Sequence, residues 1–82
     1  MAVINLQPID PDLLEVGQQV RIFARFGNGE IALDASGIVV YYTHGQEATV
    51  NVTAVNVRGS LKGELITTGP KQVPVDLLYT AS

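Results

Sequence analysis

The chain has no cysteine, no tryptophan and a single histidine, and only five of its 82 residues are basic. Without cysteine there can be neither a disulfide framework nor a thiol nucleophile. A structural zinc site of the common kind draws on several Cys and His ligands, and His44 is the one such residue here. No cofactor or metal is therefore expected. Five basic residues against eight acidic ones leave a net charge of −3. Binding to a phosphate backbone needs several cations in a stripe, so nucleic acid is not an expected partner. Charged residues make up 16% of the chain, against about 25% in ordinary domains. A surface so short of charge suggests that part of it does not face bulk water in the working state. Long apolar runs are missing too. "MAVINLQPIDPD" has no basic segment ahead of an apolar one, which predicts neither a signal peptide nor a membrane span.

A chain of this size supports one core and buries only about 60% of its unfolded surface. Small folds compensate with disulfides, metals or oligomerisation. With the first two set aside, oligomerisation is the route left open. Residues 1–9 read as an extended, apolar N-terminal arm, and residues 10–82 as one domain. "DPDLLEVG" signals a short helical turn, with Asp10 as N-cap, Pro11 at the first position and Gly17 as the stop. No window sustains helical spacing over ten residues.

The remainder reads as strand and turn. "QQVRIFARF" puts Val20, Ile22, Ala24 and Phe26 on one face, and Arg21, Phe23 and Arg25 on the other. "GNG" at 27–29 marks a hairpin, "DASG" at 34–37 a type I turn, and "HGQ" at 44–46 another turn. "IVVYYT" (38–43) is apolar on both faces and predicts a central or doubly covered strand. "RGS" at 58–60 is expected to close a hairpin onto "LKGELIT", and "TGPKQ" to interrupt the pattern. "VPVDLLYT" alternates Val73, Val75, Leu77 and Tyr79, with Pro74 arguing for an edge strand or a bulge. Within "EATVNVTAVNV", the apolar phase moves from even positions (Ala48, Val50, Val52, Ala54) to odd ones (Val55, Val57). Such a slip near Ala54–Val55 predicts a bulge or sharp bend, which lets one strand serve two sheets and lets a small barrel close; the alternative is that the strand ends near Ala54 and a loop begins.

Five or six short strands with one helical turn near the N-terminus predict an all-β domain, a small barrel or sandwich. "VGQQVRI" resembles the first strand of SH3-like barrels, "GIVVYY" their second, and "VPVDLLY" their closing turn and last strand. The resemblance spans residues 16–80 and implies an SH3-like barrel. A compact immunoglobulin-like sandwich is the alternative, disfavoured by the short chain and the missing tryptophan.

No catalytic constellation emerges, and the chain reads as a non-enzyme. His44 sits in a turn without a nucleophile assigned to it. Asp10, Asp12 and Glu15 lack the glycine and ligand spacing of a calcium loop and suit the start of a helical turn. Two surfaces are left as candidate partner sites. In "RIFARF", Arg21, Phe23 and Arg25 share a face able to dock a peptide or stack on a base; the alternative is that Phe23 packs under the N-terminal arm while the arginines pair with acids. In the arm, Val3, Ile4 and Leu6 could add to a neighbour's sheet edge or pair within their own barrel. Tyr41 is the further aromatic candidate.

The build and composition resemble those of small tailed-phage particle proteins, namely capsid cement or decoration proteins and head–tail accessory proteins. That resemblance implies a structural role in many copies, located in the virion after assembly in the host cytoplasm. Its expected partners are a major capsid or connector protein, or further copies of the chain. The alternative is a soluble cytoplasmic SH3-like module that binds a peptide, an enzyme subunit or RNA through Phe23, Tyr41 and the loops at Gly27–Gly29 and His44.

Overall fold

Asp10 accepts a 3.0 Å hydrogen bond from the Asp12 amide, and Pro11–Leu13 form the first 3-10 turn, which this capping favours. The computed structural model describes residues 6–61 and 63–80. Beyond that turn, the chain runs through β1 (Gln19–Arg25), β2 (Ile31–Tyr41), β3 (Glu47–Val57), β4 (Ser60–Leu61), β5 (Glu64–Leu65) and β6 (Gly69–Pro74). A second 3-10 turn (Val75–Leu77) leads into β7 (Leu78–Thr80). The fold is all-β, as the sequence predicts. Five strands form one antiparallel sheet in the order β6-β3-β2-β1-β7, and β4 and β5 form a small separate hairpin. "VGQQVRI" leads into β1, "GIVVYY" covers the end of β2, and "VPVDLLY" runs from the end of β6 through the second 3-10 turn into β7.

The sheet must curl. Strands β6 and β7 lie at its opposite edges, which a flat sheet would hold about 19 Å apart, four strand spacings. Yet only Val75–Leu77 separate them, a stretch that spans at most about 14 Å even when extended. Curling brings the two edges together and encloses Val20, Ile22, Leu33, Val39, Val50, Val52, Val73 and Leu78, each less than 2% exposed or at that limit. Leu14, Ala35, Ala48 and Ile66 complete this cluster.

Curvature is written into β3. Val52 lies opposite Gly37 and Ala54 opposite Ser36, leaving Thr53 as an extra residue; Asn56 is a second one between Val55 and Val57. Before the first bulge Ala48, Val50 and Val52 are buried, and after it Val55 takes over the contact with the core. The expected slip is present, with its pivot at Thr53, one residue earlier than the pattern places it. Opposite the bend, Gly37 allows a close approach of the backbones: a Cβ there would lie 2.4 Å from the Asn51 carbonyl oxygen.

Four local expectations are corrected. "DASG" is not a turn but the middle of β2, because Ile31, Leu33, Ala35, Gly37 and Val39 keep one inward phase through it, while Asp34 and Ser36 pair with β1 on the other face. "RGS" does not fold back onto β3; instead, Ser60–Leu61 pairs with Glu64–Leu65 through a turn at Gly63, whose φ is 81°. "TGPKQ" does not interrupt the sheet, since Gly69–Pro74 is strand β6. "VPVDLLYT" is not one strand: a 3-10 turn divides it, and the buried position becomes Leu78 rather than Leu77. Pro74 does lie on an edge strand. Pro70 and Pro74 lack N–H groups and share one parity, so β6 offers its outer side the Gln72 amide between two prolines, a poor template for another strand.

The opposite edge is occupied by the chain itself. The Ile9 amide donates to the Leu78 carbonyl at 3.2 Å, the Thr80 amide donates to the Gln7 carbonyl at 2.9 Å, and Pro8 bridges Tyr79. Residues 7–9 thus extend the sheet beyond β7.

Candidate functional site

The pleat of β1 sends Val20 and Ile22 inward and Arg21, Phe23 and Arg25 to the outer face. Tyr79 is the cross-strand partner of Arg21 on β7, and Asp34 that of Phe23 on β2, so both stand on that same outer face. Phe23 is only 5% exposed although it is not part of the inner cluster. Its ring meets Tyr79 edge to face at a centroid distance of 6.0 Å, and the Arg25 guanidinium lies 5.0 Å from its centre. Both are geometries favoured by the ring quadrupole. A cleft of about 370 Å³ opens beside this cluster, bounded by Leu6, Phe23, Ala24, Arg25, Leu77 and Tyr79.

Arg21 reaches diagonally across to Asp34. Its Nε donates to Oδ1 at 2.7 Å and its Nη2 to Oδ2 at 2.5 Å, a bidentate pair whose side chains are 21% and 6% exposed. The Asp34 hydrogen bond raises the Arg21 pKa above its ordinary value; burial acts the other way, and the charge of Asp34 adds to the rise. Arg21 is therefore locked to its own barrel. Arg25 differs. It donates to the Gly29 carbonyl at 2.9 Å and pairs with no carboxylate among the described residues.

Tyr41 is not brought to this cluster. It ends β2, 62% exposed, beyond the Gln19–Ile38 pair that marks the start of β1. Two residues before it, β2 ties down the loop after the first 3-10 turn: Gly17 donates to the Val39 carbonyl at 2.7 Å, and Val39 donates to the Gln18 carbonyl at 3.0 Å. That loop exposes Leu13 and Val16 around a shallow depression shared with Glu15, Gly17 and Gln18. Of the arm candidates, Leu6 lines the cleft, whereas Val3 and Ile4 lie outside the described residues. His44 is exposed at φ 60° with its ring 4.9 Å from that of Tyr42, as a turn residue would be.

Sequence reasoning missed Tyr79 and Asp34 as members of the outer cluster, and Leu77, which packs against the inner cluster, as a wall of the cleft. For Asp34 the signal was available: the odd-position apolar phase of β2 runs unbroken through "DASG". For Tyr79 and Leu77 it was not, because the 3-10 turn resets the phase just before β7.

Among the described residues, no group of three or more His, Asp or Glu could hold a metal ion, and no helix is long and apolar enough to cross a membrane. No protein-family model, curated protein or solved structure matches this chain.

Proposed function

We propose that the protein is a non-enzymatic assembly protein that works in many copies through protein–protein contacts, as a cement, decoration or head–tail accessory protein of a phage particle does. The observation that carries this reading is the set of large apolar side chains left in solvent. Leu13 and Val16 lie on the loop before β1, Val40 and Tyr41 at the end of β2, Phe26, 60% exposed, just after β1, and Leu65 on the β4–β5 hairpin. Scattered apolar residues are normal on any surface, but groups of them on so small and charge-poor a domain mark contact sites. Both sheet edges are meanwhile blunted, one by Pro70 and Pro74 and the other by residues 7–9. Contacts must then be made by side-chain surfaces rather than by strand addition.

Light scattering across a wide concentration range tests this reading, on the full chain and on one lacking residues 1–5, a cut that leaves the pairing of residues 7–9 with β7 intact. Concentration-dependent multimers are the expected result. A monomer at every concentration argues for the second reading, an accessory module that takes a peptide. The cleft beside Phe23 and Arg25 is the observation favouring that alternative.

A further inference from the structure

The two ends of β1 differ in chemistry. At its C-terminal end, the cleft offers the apolar walls of Leu6, Phe23, Leu77 and Tyr79 beneath Arg25, a cation with no carboxylate partner among the described residues. At its N-terminal end, Leu13 (72% exposed) and Val16 project from a loop that also exposes Asp12 and Glu15, and neither acid is in an ion pair among the described residues. One end is an apolar socket rimmed by positive charge, and the other an apolar projection flanked by negative charge. The loop joins β1 at Gln19 and the cleft is lined from Phe23 to Arg25, so four to six strand residues, about 13–20 Å, lie between them. The two linings share no residue, and the loop of one chain can reach the cleft of another.

We propose that the Asp12–Val16 loop of one copy docks into the Leu6–Phe23–Arg25–Tyr79 cleft of the next, with Leu13 seated against the aromatic rings and Arg25 paired to Asp12 or Glu15. Resting on the many-copy reading, this names the contact that joins the copies. The contact is heterologous: each copy uses its socket for one neighbour and its projection for the other, so successive copies form a ring if the rotation closes and a filament if it does not. Charge complementarity argues for a second copy as the occupant, since this acidic chain carries on its own surface the anionic, apolar segment that the socket fits. The exposed ends also make the contact separable from folding, because neither Leu13 nor Arg25 belongs to the inner cluster.

The test uses sedimentation velocity on the full chain and on Leu13→Ser and Arg25→Glu variants, with far-ultraviolet circular dichroism to verify that each remains folded. The wild type is expected to self-associate and to do so less at high salt. Each variant should associate at least about tenfold more weakly. Mixed in equal amounts, they should form a dimer and nothing larger, because Arg25→Glu keeps an intact projection and Leu13→Ser an intact socket. Self-association that neither variant alters would overturn this contact and leave the assembly reading standing. Loss of association on removing residues 1–5, but not in the two variants, would make the N-terminal segment the occupant and overturn it too. A wild type that stays monomeric throughout would overturn both the contact and self-assembly.

Discussion

Two apolar clusters share strand β1, one on each face, and they are built differently. The inner one is aliphatic: Val20 and Ile22 meet Leu33, Val39, Val50, Val52, Val73 and Leu78 inside the curled sheet. The outer one sets Phe23 against Tyr79 under an arginine, next to a bidentate ion pair. Curvature encloses the inner cluster, whose members are all apolar, with Tyr42 among the side chains packed against it. The outer cluster is roofed only by side chains and opens into a cleft, so its polar members must satisfy one another, and no buried side-chain nitrogen or oxygen among the described residues lacks a partner. Stability resides inside the barrel, and what remains adaptable lies outside.

If that division holds, Ile22→Ala should be the most damaging single change. Ile22 is fully buried and the surrounding sheet cannot collapse into the space, so a loss of about 3–5 kcal/mol is expected by chemical denaturation. In a domain this small that approaches the whole of its stability. A loss below that of the outer substitutions described next would undo the comparison.

Asp34→Ala comes second. It strips the partner from Arg21, whose guanidinium is largely covered, and should cost about 2–3 kcal/mol. Replacing both partners, Arg21→Met with Asp34→Leu, should restore most of that loss, since the cost arises from the orphaned charge rather than from any large net gain by the pair. A double-mutant cycle with near-zero coupling would show that the two groups are independent in solution. Because the Arg21 pKa is raised from an already high value, the contribution linked to the Arg21 charge is present at lower pH and is lost as pH climbs through that raised pKa, beyond the range where most proteins are handled.

Third, Phe23→Ala removes more apolar surface than Ile22→Ala, yet it should cost less, about 2 kcal/mol. The cleft already opens beside the ring, Arg25 can move into the space, and water can follow. Thermal melts of the two variants side by side decide the point; equal or reversed losses would mean that the outer cluster is a second structural core.

The comparison also separates what the sequence made legible from what it did not. Alternation in "QVRIFAR" was enough to place Val20 and Ile22 on one face and Arg21, Phe23 and Arg25 on the other, because a strand flanked by partners keeps its period of two. The phase slip in β3 was legible for the same reason, since bulges leave a record in which positions are apolar. Asp34 and Ser36 read as turn residues because turn propensity is a local signal, whereas their pairing with β1 and the partly buried ion pair of Asp34 are tertiary facts. Leu77 and Leu78 exchanged roles for a related reason: a 3-10 turn carries no distinctive pattern of its own. The cleft was out of reach. It exists only because closure brings β7, at one end of the chain, beside β1 and the segment before it.

Arg25→Ala should have the smallest effect on folding. The side chain is exposed, its one hydrogen bond goes to the Gly29 carbonyl at 2.9 Å, and its contact with the Phe23 ring lies at the edge of the cluster. Exposed cation–ring contacts and solvent-facing hydrogen bonds each contribute little, so a loss of no more than about 1 kcal/mol is expected. The same substitution removes the positive rim of the socket and should weaken self-association far more than it lowers the melting temperature. Arg21→Ala should do the reverse, because that guanidinium is already committed to Asp34. Measuring melting temperature and solution mass for both variants sets the two arginines of one strand face against each other. If both properties fell in parallel for each variant, the outer face would be structural alone.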